Sequence, residues 1–294
     1  MLDCVMLDIG GTFVKHGAVQ NGSFLTPGLF PIRENGTADE ILQPILNHLK
    51  NHPAGHVAIS MPGPMDYATG TSRMAHKFAA LNGISLRSVL ESQLPGTEIS
   101  FLHDAAAFIL GEAFHGAAAG ADCFAGVMLG TGLGFALFEN GKVRMRSTRT
   151  PSLPLWNCPW QDGICEDYVS ARGMRRRWLE LSDTAMDVRE IAESARAANE
   201  AACRLMNDTG YMLGEMLTRH LEGIAVEKIV LGGQISKSFD LMKSAFESSC
   251  SIPVSVAANI EDAALRGAWE YALHGEALFR IEGDSSAGKS SFSS

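Results

Sequence analysis

The chain is poor in positive charge. Its 294 residues carry 24 Lys and Arg against 33 Asp and Glu, a formal net charge of −9. Binding to a nucleic-acid backbone calls for clustered Lys and Arg, so nucleic acid is excluded as the main partner. A nucleotide is not excluded, because a turn of backbone N–H groups can hold phosphates on an acidic protein. Long hydrophobic runs are also missing. None reaches the ~18 residues that a membrane helix needs, so no membrane association is expected. Asp3 and Asp8 interrupt the apolar N-terminal stretch, which argues against a secretory leader. Cysteine is sparse and scattered (Cys4, Cys123, Cys158, Cys165, Cys203, Cys250). In apolar runs such thiols behave as small hydrophobes, and a reducing cytoplasm is the simplest compartment. The chain does have enough apolar residues, 46% against 19% charged, to fill a sizeable core.

Cys4–Ile9 reads as a strand that is apolar on both faces except for Asp8. A Gly10-Gly11 turn follows, then a second strand over Thr12–Gln20, then Asn21-Gly22, a hairpin signal. Phe24–Ile32 supplies a third strand punctuated by Pro27-Gly28. Thr37-Ala38-Asp39-Glu40 predicts a capping box and a helix to about Leu49, bent or shortened by Pro44. Strands are expected at His56–Ser60 and Glu98–Leu102, and helices at Leu86–Gln93 and Asp104–Ala118. The opening pattern then returns, with strand Phe124–Leu129, turn Gly130-Thr131-Gly132, strand Leu133–Phe138 and Asn140-Gly141. This repetition predicts two related domains facing each other across a cleft, each offering a glycine turn. After a Pro- and Trp-bearing stretch, helices are expected over Glu166–Leu181 and Val188–Glu222, a strand at Lys228–Leu231 ending in Gly232-Gly233, a helix over Ser236–Ser249, a strand at Val254–Ala257 and a final helix over Glu261–Leu273. The alternation implies α/β layers.

A glycine turn lets backbone N–H groups converge with no Cβ in the way of a phosphate. Asp8 at the strand end adds a carboxylate able to hold Mg²⁺ through water. Either turn alone reads as a plain hairpin, whereas two in matching context plus Gly232-Gly233 point to nucleotide binding. The run from Gly283 to Ser290 fits the P-loop pattern by letter but has no room for the helix a P-loop opens, so it reads as chance. Arg172, Arg175, Arg176 and Arg177 read as a solvated helix face.

Leu7-Asp8-Ile9-Gly10-Gly11-Thr12 with Lys15 resembles the first phosphate segment of the sugar-kinase/actin/heat-shock-ATPase superfamily. Leu129-Gly130-Thr131-Gly132-Leu133-Gly134 looks like its second, and Ile229-Val230-Leu231-Gly232-Gly233 like its adenosine segment. The nearest resemblance is to the ROK family (repressors, open reading frames and kinases), from residue 3 to about 273. It implies the two-lobed actin-like, ribonuclease H-like fold, with duplicated mixed sheets around a central cleft. Residues 1–115 would form the lobe with the catalytic and sugar-binding segments, and 116–260 the lobe with the second phosphate and adenosine segments. The final helix, about 261–275, would pack back on the first lobe, and 276–294 would be a disordered tail.

The resemblance assigns roles. Asp104 would be an N-cap on composition alone, but the family places its catalytic Asp at this junction, as general base for a sugar hydroxyl attacking the γ-phosphoryl group of ATP. His103 stands where the family has Asn, which points away from its usual hexose preference. Gly63, in Met61-Pro62-Gly63-Pro64, His76 and Glu166 match the sugar side. The Glu-x-Gly-His and Cys-x-Cys-Gly segments that hold a structural zinc in typical members are absent. Only Cys158 and Cys165 stand nearby, so no zinc is expected, and Trp156, Trp160 and prolines are expected to pin this loop. The implied function is ATP- and Mg²⁺-dependent phosphorylation of a hexose, N-acetylhexosamine or glycoside. The competing readings are a sugar sensor without the DNA-binding domain of ROK repressors, and an ATPase acting on another small metabolite. Family members are often homodimers, although no residue run marks an interface.

Overall fold

A computed structural model describes residues 1–282. The first half contains β1 (Leu2–Ile9), β2 (Phe13–Gln20), β3 (Ser23–Phe24), β4 (Gly28–Pro31), α1 (Ala38–Asn51), β5 (Ala54–Met61), a small ribbon of β6 (Met65–Asp66) and β7 (Thr71–Ser72), α2 (Leu86–Gln93), β8 (Glu98–His103) and α3 (Asp104–His115). The second contains β9 (Cys123–Leu129), β10 (Leu133–Glu139), β11 (Lys142–Met145), a ribbon of β12 (Pro159–Trp160) and β13 (Gly163–Ile164), α4 (Glu166–Val169), α5 (Ala171–Ser182), α6 (Val188–Arg196), α7 (Glu200–His220), β14 (Lys228–Gly232), α8 (Lys243–Ser249), β15 (Val254–Val256), α9 (Ala263–His274) and β16 (Phe279–Ile281). Among the described residues no helix is long and apolar enough to cross a membrane.

The repeat in the sequence is a repeat in topology. One sheet runs β3-β2-β1-β5-β8, with β4 also on β2; the other runs β11-β10-β9-β14-β15, with β16 added outside β11. In each, the first strand is antiparallel to its hairpin partner and parallel to the strand on its other side. Burial explains why β1 and β9 are apolar on both faces. Val5, Leu7 and Ile9 join α1 and α2 in one core, whereas Cys4 and Met6 face a middle core with α3 and α9. Phe124 reaches that middle core from the second sheet, and Ala125, Val127 and Leu129 face a third core with α5, α6 and α7. The layers are therefore helices, sheet, two shared helices, sheet, helices.

The shared helices cross at glycines. A Cβ on Gly111 would fall 1.9 Å from the Ala263 carbonyl oxygen, and one on Gly267 would fall 1.8 Å from that of Ala107. Only hydrogen lets α3 and α9 pack backbone to backbone there.

Several boundaries differ from the sequence reading. The third strand is two short ones, β3 and β4, separated at Thr26-Pro27. Pro44 does not shorten α1, which runs 14 residues. Its buried stripe of Ile41, Leu42, Ile45, Leu46 and Leu49 and its Thr37/Glu40 capping box outweigh one lost hydrogen bond. The helix expected over Val188–Glu222 breaks at Ala198 (φ +62°), and Asn199 caps the new start. Glu166–Leu181 divides at Ser170, which caps α5. The first half of the Ser236–Ser249 helix is a 3₁₀ segment, Gln234–Leu241. Residues 276–282 are ordered rather than tail, because Leu278 and Phe279 are buried, Phe279 stacks on Tyr271 at 5.0 Å, and β16 pairs in parallel with β11. The rest of the expected tail and the P-loop-like run lie outside the described residues. Trp156 does not pin its loop, being 47% exposed; Leu155 and Trp160 are the buried anchors, with Arg219 over the Trp160 ring at 4.9 Å.

Candidate active site

Three parallel strands of the first sheet end side by side. The register pairs Asp8 of β1 with Ser60 of β5, and Met61 of β5 with His103 of β8. Ligands of such sheets bind beyond these carboxyl ends. Ser60 Oγ donates to Asp8 Oδ1 at 3.0 Å. Burial pushes the Asp8 carboxyl up, from 3.8 to about 6; Lys15, opposite it in the β1–β2 register, pulls down and the Asp104 charge pushes further up. Asp8 and Asp104 therefore feel one another at the same strand ends.

Asp104 opens α3, but the N-cap position belongs to His103. His103 Nδ1 lies 2.8 Å from Asp104 Oδ1. An ionised carboxylate only accepts, so Nδ1 carries the proton and donates to it. The Ala105 N–H, 2.7 Å from Oδ1 and 3.1 Å from Nδ1, then donates to the carboxylate as well. Burial opposes ionisation of Asp104, yet the His103 charge and hydrogen bond, the Ala105 N–H and the charge of Lys77 together hold its carboxyl below the usual range. Two carboxylates in one place are thus pushed in opposite directions, a pattern associated with catalytic sites.

The glycines of the first turn close it: Gly10 N–H donates to the Phe13 carbonyl at 3.0 Å, and the Thr12 carbonyl accepts from Ile32 N–H at 2.9 Å. Glu34 crowds Gly11, whose Cβ would fall 2.3 Å from Glu34 Oε2. In the second turn Gly130 N–H donates to the Gly132 carbonyl at 3.1 Å, Thr131 is exposed, and Gly134 lies within β10. The adenosine segment abuts it. Gly233, at φ +81°, lies so close to the end of β9 that a Cβ would be 2.3 Å from the Leu129 carbonyl oxygen, and Gly232 packs on Phe108 of α3.

The sugar-side residues divide. Gly63 is beside His103, its would-be Cβ 3.7 Å from His103 Nε2 and 3.3 Å from the hydroxyl of buried Tyr67. His76 is exposed, and its neighbour Lys77 is the residue of that segment acting on Asp104. Glu166 lies at the second glycine turn, where Oε2 accepts the Leu133 N–H at 2.9 Å and Oε1 is 3.3 Å from Arg172. Sequence reasoning missed Ser60, Tyr67 and Lys77. Only Lys77 had a signal, its adjacency to His76; the others depend on strand register and packing.

A buried carboxylate short of positive charge beside a glycine turn fits a hydrated divalent cation on a nucleotide. Zinc does not fit. Among the described residues no group of three or more His, Cys, Asp or Glu is placed to hold a metal. Cys158 Sγ donates to the Pro154 carbonyl at 3.2 Å and lies 3.7 Å from His220 Nδ1. Burial pushes the Cys165 thiol up to about 12, and the two thiols fall short of the four ligands of a closed site.

The chain is similar to known proteins along most of its length. The ROK family model matches residues 4–270. The glucokinase of Thermotoga maritima is 25% identical over 270 residues, 82% of this chain and 84% of that protein. The N-acetyl-D-glucosamine kinase of Photobacterium profundum is 27% identical over 261 residues, 80% and 84% respectively. A ROK family glucokinase from Streptomyces griseus, solved with glucose and AMPPNP, superposes with a TM-score of 0.73 at 23% identity, covering 94% of this chain and 100% of that one. That likeness carries the fold, the two-lobed actin-like ATPase architecture.

Proposed function

The chain belongs to the ROK family, and on that premise we propose that it is an ATP-dependent kinase of a small sugar with Asp104 as the base. The observation that carries the reading is the pair Asp8 and Asp104, at the ends of two strands with only β5 between them and with opposite shifts.

Asp8 would hold the Mg²⁺ of the nucleotide through water, and that cation would offset the phosphate charge. Gly10, Gly11, Thr12 and Lys15 on one side, and Gly130, Thr131, Gly132 and Gly134 on the other, receive the phosphates, with Gly232 and Gly233 against the adenosine. Gly63 and His103 line the approach of the sugar, His76 stands at its rim, and Glu166 reaches it from the second glycine turn. Asp104 accepts the proton of the sugar hydroxyl as that oxygen bonds to the γ-phosphorus and the bond from phosphorus to the ADP oxygen breaks. The His103 proton fixes the carboxylate's orientation, and positioning is a large part of phosphoryl-transfer catalysis. The acceptor is a hexose, an N-acetylhexosamine or a glycoside, the protein works in the cytoplasm, and it carries no zinc.

The test is a screen of sugars for ADP release, followed by Asp104→Asn on the best acceptor. Turnover is expected to fall about 10²–10⁴-fold with sugar binding retained. Unchanged turnover would rule out Asp104 as base, and sugar binding by the wild-type chain with no ATP turnover would mean a sensor instead.

A further inference from the structure

The first glycine turn and the adenosine segment are joined by a chain of alternating charges. Asp8 pairs in register with Lys15. Lys15 Nζ lies 3.5 Å from Glu261 Oε2. The other oxygen of Glu261 accepts from Lys237 Nζ and, at 3.4 Å, from Gln234 Nε2. Lys15 comes from β2 of the first sheet. Gln234 and Lys237 come from the 3₁₀ segment that follows Gly233 of the second. Glu261 stands between them, just before α9.

Two ammonium groups from opposite lobes therefore share one carboxylate. Apart from Glu261 they would repel, and Lys237 is 46% exposed. Glu261 is itself 62% exposed. Exposed ion pairs contribute little net stability, so another anion can replace the carboxylate cheaply. A polyphosphate running from the adenosine segment to the first glycine turn spans the two elements that Glu261 now bridges. It also carries more charge and more acceptor oxygens than a carboxylate.

We propose that Lys237 is a further nucleotide-phosphate ligand and that Glu261 holds its place, and that of Lys15, until the nucleotide arrives. The proposal rests on the kinase reading above. On binding, Lys15 and Lys237 pass from Glu261 to phosphate oxygens, and Glu261 turns to solvent. Glu261 thus competes with the nucleotide for the two lysines, and Lys237 adds a charge-assisted contact.

The test is calorimetric titration of the full chain with Mg²⁺-ATP across a series of KCl concentrations, for wild type, Lys237→Met and Glu261→Gln. Lys237→Met is expected to bind about tenfold more weakly, with a shallower salt dependence because one phosphate contact is gone. In turnover assays its KM for ATP rises by a similar factor while kcat stays within about twofold, a split expected of a binding contact. Glu261→Gln is expected to bind about threefold more tightly, because the competing anion is gone. Tightening is a result that a merely structural ion pair would not produce, and it keeps the proposal testable even where Lys237→Met folds poorly. Lys237→Met binding as wild type, or Glu261→Gln binding more weakly, would overturn this inference while leaving the kinase reading intact. Failure of the wild-type chain to bind Mg²⁺-ATP at all would overturn both.

Discussion

The Asp8 carboxylate makes the nucleotide-free protein less stable than it need be, and removing its charge should reveal by how much. Burial raises its pKa from 3.8 to about 6. A raised acid pKa means that the folded state holds the proton more tightly than the unfolded one, so ionisation costs the fold. The cost is absent below pH 3.8, grows as pH rises toward 6 and is constant above. About two pH units at about 1.4 kcal/mol each give about 3 kcal/mol. The strand end keeps some contact with solvent, and screening there lowers the figure to about 2 kcal/mol. Asn has the same shape and can still accept the Ser60 hydroxyl. Asp8→Asn should therefore be about 2 kcal/mol more stable than wild type at pH 8, a rise in Tm of about 5 °C for a chain of this size. The difference should shrink toward zero near pH 4. Thermal unfolding in EDTA at several pH values measures this, and Mg²⁺-ATP turnover of the same preparations should be lost. A variant less stable than wild type at pH 8, or a stabilisation that does not change with pH, would refute the reasoning.

Two further outcomes follow from the packing and the thiols. Gly267→Ala forces a Cβ to within 1.8 Å of the Ala107 carbonyl oxygen at the crossing of α3 and α9. Overpacking of two backbones should cost about 3 kcal/mol in chemical denaturation, and an unchanged midpoint would mean that the helices are not in backbone contact. Protein purified without chelators should contain far less than one equivalent of zinc by metal analysis, because Cys158 and Cys165 are two thiols where a closed site needs four ligands; one equivalent would contradict this.

Most of the fold was legible because its signals are local. Gly10-Gly11, Asn21-Gly22, Gly130-Thr131-Gly132 and Asn140-Gly141 mark turns whatever surrounds them, and their recurrence disclosed two sheets of the same order. Errors arose where tertiary packing overrides a local rule. Pro44 is a helix breaker by type, but five buried neighbours hold α1 together. The helix breaks at Ser170 and Ala198 depend on caps that look like ordinary polar or small residues inside a helical pattern. At the site, Asp8 and Asp104 stood out by motif. Ser60 and Tyr67 did not, because register alone brings Ser60 to Asp8, and packing alone brings Tyr67 to Gly63 and His103. Glu261 and Lys237 are charged surface residues by type and acquire meaning only when the two lobes are placed together.

The opposite shifts of the two carboxylates constrain how the site can discriminate. A carboxyl held below its usual range is a weak base. That suffices for phosphoryl transfer, whose loose transition state bonds the attacking oxygen late and so releases its proton late. On the proposed reading Asp104 then contributes mainly by aiming the hydroxyl, and its His103 and Ala105 contacts matter more than its basicity. The same lowered pKa leaves Asp104 ionised at neutral pH, and an ionised Asp104 disfavours ionisation of Asp8, a cost that the cation proposed at Asp8 would relieve. An ionised Asp104 would take a proton from water as readily as from a sugar. Protection of ATP against hydrolysis therefore cannot come from the protonation state of the base. It has to come from geometry: the lobes closing on a sugar that fills the space a water would occupy, and an acceptor oxygen in line with phosphorus only when that sugar is seated.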